Sequence, residues 1–335
     1  MDRTRAGSCR ARWLARGLEL NLDIVVVGAG AVGAVMGTLL HAEGHRVWFW
    51  VRRARRASLT RIAVDRVGVS SDRIDAPRCL SPGDPVPNSD WILVCVRGEQ
   101  LDGALREVAQ QMGATRRVAI AAVGLRGVTE QARAAGLTGP VFALHASFGA
   151  FADARDSARF HWFPFVPPTT VTPDGDRKQL PAARELARAL ARAGLPAGAT
   201  LSMSRIMRFV VAMTSVLALG WDLSDWELAR LAKDRALRLQ TARAMHEAAQ
   251  LVLAGRGWRR LLPWWGFDLL LRLLPRALGP KGREAWLHHG PKIRPQTDHV
   301  LRELLAQQRK AGPAPAANAL QRLFQRWLAA TSPEA

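Results

Sequence analysis

The 335-residue sequence predicts an α/β N-terminal domain with a doubly wound parallel sheet, followed by an all-α C-terminal domain. Three observations predict this fold class. Short β-branched runs alternate with helical patterns in the first part of the chain, as expected for parallel strands joined by helices. A glycine-rich turn joins the first strand to the first helix. Strand patterns disappear after about residue 200, and only helical patterns follow.

The N-terminal elements follow one another in alternating order. Ile24–Val27 is predicted to be a buried strand, and the helix after the glycine turn is predicted to end at Gly44. Arg46–Val51 is the next predicted strand. Further elements are predicted at Trp91–Val96, Gln100–Gln111, Val118–Val123, Val128–Ala135 and Val141–Ala146. This alternation indicates a Rossmann-like domain, to which we assign residues 21–199.

Helical patterns define a C-terminal domain over residues 200–335. Its predicted helices are Ser204–Leu219, Ser224–Ala254, Lys292–Arg309 and Ala316–Ala330. Between the two domains, Phe160–Phe165 and Thr169–Val171 are predicted to be strands at a sheet edge, because prolines interrupt this region. A helix is predicted over Gln179–Ala193.

Composition excludes several classes of protein. Apolar residues make up 48% and charged residues 23% of the chain, which excludes wholesale disorder. The absence of tyrosine excludes mechanisms that need a tyrosine acid. Three cysteines without a CxxC pair argue against a disulfide scaffold or a thiolate metal site, and favour a reducing, cytoplasmic compartment. We expect the arginine-rich residues 1–20 to be a disordered basic extension rather than a signal peptide.

The net charge of +20 raises the question of an anionic partner. Because the arginines are spread along the whole chain, we expect an anionic small-molecule substrate rather than a specific nucleic acid. Residues 257–278 combine tryptophan, leucine and arginine, a composition typical of membrane-surface helices. Pro263, Gly266 and Pro275 interrupt this segment, so we favour a helical hairpin that covers a cleft and keep peripheral membrane contact as the alternative. A homodimer is also left open.

A glycine motif follows the first strand with the spacing Gly28-x-Gly30-x-x-Gly33. The first glycine permits a tight turn, the second lets a pyrophosphate approach the backbone, and the third lets the helix pack on the strand. The N-terminus of the helix would face the phosphates with free N–H groups. The residues predicted to bind a dinucleotide here are Gly28, Ala29, Gly30, Ala31, Val32 and Gly33.

The end of the second strand indicates which dinucleotide binds. No acidic residue lies between Gly44 and Arg61, although an NAD site usually has an acid here for the ribose hydroxyls. Arg52 and Arg53 begin an arginine-rich run instead, and guanidinium groups suit a 2′-phosphate. The sequence therefore predicts NADP(H), with Arg52 as the main contact.

These motifs together resemble the ketopantoate reductase (2-dehydropantoate 2-reductase) family. The similarity lies in VVVGAGAVGAVMG, VWFWVRR, DWILVCVRGEQLDGAL and VAIAAVGLRGV, and more loosely in HHGPKIRPQTDHVLRELL. The resemblance implies an NADPH-dependent oxidoreductase that reduces a 2-keto acid between a Rossmann-like and a helical domain, as in pantothenate biosynthesis. A non-catalytic NADPH-binding sensor or regulator of the same fold is the alternative.

The resemblance also assigns site residues. Val96, Arg97 and Gly124 take positions near the cofactor, where the family carries a lysine after the fourth strand and an Asn-Gly pair after the fifth. Gln296 lies where the family has a glutamate near the ribose. The catalytic lysine of the family corresponds to Arg208. The family's asparagines in the same helix fall near Ala212 and Val216.

The replacements change the expected chemistry. Arginine stays protonated at any working pH, so Arg97 and Arg208 could hold a carboxylate and a developing negative oxygen but would be poor proton donors. His145, at the end of a predicted strand, is a candidate for the missing acid. The predicted catalytic residues are therefore Arg97, Arg208 and His145.

Overall fold

The computed structural model describes residues 21–67, 69–121, 127–153, 155–164, 168–173, 175–201, 203–253, 263–310 and 318–331. The strands are β1 Asp23–Val27, β2 Arg46–Trp50, β3 Arg61–Arg66, β4 Ser70–Asp75, β5 Cys79–Leu80, β6 Trp91–Val94, β7 Val118–Ile120, β8 Val141–His145, β9 Phe148–Ala152, β10 Arg159–Pro164, β11 Thr169–Thr172 and β12 Ala197–Ala199. The helices are α1 Ala31–Ala42, α2 Arg53–Ser58, α3 Leu101–Gln111, α4 Val128–Ala134, α5 Leu180–Arg192, α6 Ser204–Asp222, α7 Leu228–Lys233, α8 Arg235–Val252, α9 Trp264–Lys310 and α10 Ala319–Thr331.

The main sheet has eight strands in the order β12-β11-β8-β7-β6-β1-β2-β5. The strands from β8 to β5 are parallel, whereas β11 runs antiparallel to β8. Helices α3 and α4 cover one face, and α1 and α5 cover the other. The chain reverses its direction of travel between β1 and β6, which is the switch point where ligands bind in such sheets. The predicted fold class is confirmed.

A second sheet of four strands, in the order β4-β3-β10-β9, packs against α1. The β3–β4 hairpin was not predicted because charged residues alternate with the apolar ones, although Ile62, Val64 and Ile74 are buried. The expectation that residues 160–165 and 169–171 form edge strands was wrong. β10 lies between β3 and β9, and β11 lies between β8 and β12, because the prolines fall at strand ends.

After β12, every described element is a helix, and α6, α8, α9 and α10 share one apolar core. A buried carboxylate ties three of these helices together. Asp222 at the end of α6 accepts two hydrogen bonds from Arg294 of α9, at 2.7 and 2.8 Å. It accepts a third from the indole N–H of Trp327 in α10, at 2.8 Å.

The helical hairpin expected within residues 257–278 lies partly outside the described residues, at 257–262. The breaks expected at Gly266 and Pro275 were wrong, since α9 runs without a break from Trp264 to Lys310. A proline removes one helical hydrogen bond, but packing at both ends of a helix can offset that loss. Phe267 and Leu271 near the start of α9, and Val300 near its end, are buried in the same core. No helix among the described residues is long and apolar enough to cross a membrane.

Candidate active site

The glycine turn has the geometry that its spacing predicts. Gly28 has a φ of +99°, a conformation that side chains rarely adopt. A Cβ atom there would lie 2.7 Å from the carbonyl oxygen of Cys95 and 3.2 Å from Cγ1 of Val96. A Cβ atom on Gly33 would overlap the carbonyl oxygen of Gly28. These two glycines therefore let β1, the start of α1 and the segment after β6 pack closely.

Gly30 serves a different purpose. It is exposed at the N-cap of α1, and a Cβ atom placed on it would meet no described atom within 4 Å. The first turn of α1 contains no acidic residue, and no side chain caps it. The first N–H groups of a helix have no partner within the helix and carry its positive dipole end. The open space at Gly30 thus lies beside donors that suit a phosphate.

The sheet order places the predicted site residues in one row. Trp50, Val27, Val94 and Ile120 are aligned in register near the carboxyl ends of β2, β1, β6 and β7. Arg52 follows β2, Gly28 follows β1 and Arg97 follows β6, while His145 ends β8. Neighbouring strands are roughly 4.8 Å apart, so this row spans roughly 19 Å from β2 to β8. An extended dinucleotide can reach across such a row.

The arginines after β2 differ in what they bind within the protein. Arg53 donates a hydrogen bond of 3.2 Å to the carbonyl oxygen of Pro82. Arg55 donates one of 3.2 Å to the carbonyl oxygen of Ser157, and Arg56 forms an ion pair with Asp84. Arg52 is exposed at the N-cap of α2, and its side chain makes no hydrogen bond or ion pair with any described residue. Arg52 is therefore the arginine of this run that is available to an anionic ligand.

Arg97 lies at the same sheet edge but already has a carboxylate partner. Its Nε atom lies 2.8 Å from Oε1 of Glu99, which belongs to the short 3-10 turn Gly98–Gln100. More than half of the Arg97 side chain is exposed. This ion pair was not predicted, although an acidic residue two positions further along the sequence was a signal for it. Beside it, burial raises the pKa of the Cys95 thiol to about 12, so this cysteine stays neutral.

Helix α6 carries the residues that the resemblance assigns to the substrate. Arg208 is half-buried near the start of this helix and pairs with no described residue. Ala212 and Val216, one and two turns later, are fully buried in the apolar core of the helical half. Side chains at those two positions cannot reach a substrate unless the helices separate.

The remaining predicted residues are spread around these groups. His145 is half-buried, and it lies opposite Thr170 in the register of the antiparallel strands β8 and β11. Gln296 is half-buried on α9, the helix that packs against the Gly98–Gln100 turn and so joins the two halves near Arg97. Gly124 lies outside the described residues. In the part of the chain that is described, no group of histidine, cysteine and carboxylate side chains could hold a metal ion.

The fold and the glycine turn define a class: a Rossmann-like domain with a dinucleotide-type turn, joined to a helical domain. Comparison with known proteins narrows this class. Residues 24–163 match the family model of ketopantoate reductase PanE/ApbA, which confirms the resemblance found in the sequence. No curated protein sequence matches the chain significantly.

Solved structures share the fold over most of the chain. A D-mandelate dehydrogenase in a ternary structure with NADH and anilino(oxo)acetate is 15% identical, with a TM-score of 0.68, covering 91% of this chain and 97% of its own. A 2-dehydropantoate 2-reductase from Geobacter metallireducens GS-15 is 17% identical, with a TM-score of 0.64. The match covers 93% of this chain and 100% of the reductase chain. A dimeric ketopantoate reductase from Staphylococcus aureus is 11% identical, with a TM-score of 0.67. The match covers 92% of this chain and 98% of that reductase chain.

Proposed function

We propose that this protein is an NADPH-dependent oxidoreductase that reduces a 2-keto acid to the corresponding 2-hydroxy acid. The match of residues 24–163 to the ketopantoate reductase family supports an NAD(P)-dependent oxidoreductase of this type. The structural neighbours include both a D-mandelate dehydrogenase and 2-dehydropantoate 2-reductases, which supports a 2-keto acid as the substrate class. Ketopantoate and an aromatic 2-keto acid are therefore the two substrates to test first.

The observation that carries the proposal is the open space at Gly30 beside the uncapped N-terminus of α1. A Cβ atom on Gly30 would enter that space, whereas the neighbouring glycines face protein atoms. These residues fit a pyrophosphate, with Ala31 and Val32 supplying backbone N–H groups. Arg52 would hold a 2′-phosphate, because its guanidinium has no other described partner.

When bound, the nicotinamide supplies a hydride to the carbonyl carbon of the 2-keto acid. Arg97 and Arg208 would hold the substrate carboxylate and stabilise negative charge on the carbonyl oxygen. Neither would deliver the proton, because arginine stays protonated. We assign that proton to His145, which ends β8 on the same sheet edge as Arg97. Gln296 and Val96 would contact the cofactor from α9 and from the end of β6.

One observation favours the alternative, a non-catalytic NADPH-binding protein. The positions that correspond to the family's asparagines are Ala212 and Val216, which are apolar and fully buried. Neither position therefore supplies an amide donor to the substrate. In this alternative the chain would bind NADPH and change conformation without turning over a keto acid.

The charge of Arg52 provides the test of cofactor choice. Arg52→Glu should weaken NADPH binding roughly 10- to 100-fold while leaving NADH binding nearly unchanged, because hydrogen bonds to a charged group are lost. Arg184→Glu changes the same charge on the exposed face of α5 and serves as the control. Equal NADPH affinity in the Arg52 variant and the wild type would refute the assignment. Binding can be measured by titration calorimetry.

Turnover separates the two functions. NADPH oxidation should be measured with ketopantoate and with phenylglyoxylate as substrates. Turnover that falls in His145→Asn and Arg97→Gln supports the reductase. NADPH binding without turnover of either substrate would favour the non-catalytic protein. The free thiols of Cys79 and Cys95 support a reducing, cytoplasmic location. We also propose that the protein forms a homodimer, and light scattering would measure its mass in solution.

A further inference from the structure

The start of α9 exposes an unusual amount of apolar surface. Between 40% and 60% of each of five large side chains is exposed here. We call these residues the tryptophan–leucine face: Trp264, Trp265, Leu269, Leu270 and Leu273. Trp265, Leu269 and Leu273 follow one another at intervals of one helical turn, so they form a continuous outward stripe.

The opposite side of the same helix is apolar too. Phe267 and Leu271 are buried in the core of the helical half, and Leu274 packs against it. A helix that packs on one core normally keeps its apolar side chains on the side that faces the core. The outward stripe is not needed for folding of the core, because the inward residues already supply that contact. It therefore has the character of a surface for a partner.

The charges around the tryptophan–leucine face are positive. Arg272 and Arg276 are exposed on the same helix, and Arg243 of α8 lies with its guanidinium carbon 5.5 Å from the centre of the Trp264 ring. The one acid in this part of α9, Asp268, is buried and bound by Arg238 and Arg272, each at 2.7 Å. No negative side chain of this helical segment is thus available on the outward side.

We propose that the tryptophan–leucine face docks on membranes that contain anionic lipids. Tryptophan and leucine enter the headgroup region favourably, and flanking arginines attract lipid phosphates. A second copy of the chain fits this face less well. A two-fold contact through the stripe would bring the arginines of the two copies together without acids to pair them. The docking would be peripheral, and it does not depend on the proposed reductase activity.

The test is cosedimentation of the full-length protein with vesicles. Phosphatidylcholine vesicles should be compared with vesicles that also contain phosphatidylglycerol, at low and physiological salt. We expect binding to the anionic vesicles, reduced at least about tenfold in Leu269→Ser/Leu273→Ser by loss of apolar insertion. Arg276→Gln should reduce it about fivefold.

Two matched controls separate this face from the general positive charge. Val67→Ser/Val69→Ser removes two exposed apolar side chains from the turn between β3 and β4, and Arg184→Gln removes one exposed charge from α5. Both should bind vesicles like the wild type, and all variants should keep the wild-type circular dichroism spectrum.

Three results would overturn the proposal: no binding of the wild type to anionic vesicles, equal loss in the leucine and valine variants, or full binding by the leucine variant. A wild-type dimer that Leu269→Ser/Leu273→Ser dissociates, without vesicle binding, would assign the face to a second copy instead.

Discussion

Replacing Gly30 by alanine should separate cofactor binding from folding. The residue has φ −77° and ψ −176°, which alanine adopts without strain. Its added Cβ atom would meet no described atom within 4 Å. The folded state should therefore tolerate the change, and the unfolded chain should lose entropy. We expect the free energy of unfolding to stay the same or rise by about 0.4–1 kcal/mol.

Cofactor binding should respond in the opposite direction. The methyl group would occupy the space through which a phosphate approaches the N–H groups of α1. Loss of one hydrogen bond to a charged group costs about 1.5–3 kcal/mol, or roughly 10- to 150-fold in the NADPH dissociation constant. Titration calorimetry measures this affinity, and urea unfolding followed by circular dichroism measures stability.

Gly33→Ala is the matched comparison on the same turn. Its Cβ atom would overlap the backbone carbonyl of Gly28, which cannot move without shifting β1 or α1. This variant should lose about 1–3 kcal/mol of stability. Wild-type NADPH affinity in Gly30→Ala would refute the position of the pyrophosphate. Wild-type stability in Gly33→Ala would refute the close packing of the turn.

Two further predictions concern stability. Asp268→Ala should cost about 3 kcal/mol in urea unfolding, because it leaves the Arg238 guanidinium buried without its carboxylate. The free energy of unfolding of the double variant Asp268→Leu/Arg238→Met should lie within about 1 kcal/mol of the wild-type value. Wild-type stability in Asp268→Ala would contradict this reasoning. The hydrogen bond from His161 lowers the pKa of Asp153 from its ordinary 3.8 to about 2. Because the folded-state pKa is lowered, this stabilisation is present above pH 3.8 and is lost as the pH falls towards 2. In Asp153→Asn, the melting temperature should therefore fall less steeply between pH 3.8 and 2 than in the wild type. The same steepness in both proteins would contradict a stabilising role for the Asp153 carboxylate.

Local patterns were sufficient for the first half of the fold. Strands such as Ile24–Val27 are β-branched and bounded by glycine, so their conformation is encoded within a few residues. The Gly28, Gly30 and Gly33 spacing likewise describes a single turn, and the structure shows each glycine in the expected environment. The aligned strand ends follow from this alternation, because parallel strands share one carboxyl edge.

Long-range packing decided what the sequence patterns did not show. The β3–β4 hairpin is stabilised by burial of Ile62 and Ile74 against α1, a contact between segments far apart in the chain. The continuity of α9 through Pro275 depends on core contacts at both of its ends. No window of sequence around the proline contains those contacts.

The same distinction between local sequence patterns and long-range packing applies to the candidate active site. The sequence by itself determined the glycine turn, the arginine-rich segment after the second strand and the family resemblance, because each depends on neighbours within a short stretch. The tertiary structure decided which arginine is available: Arg53 donates a hydrogen bond to the carbonyl oxygen of Pro82, while the side chain of Arg52 has no described partner. It also decided that Ala212 and Val216 lie in the core. Availability and burial are properties of the space around a side chain, and distant segments fill that space only when the chain folds.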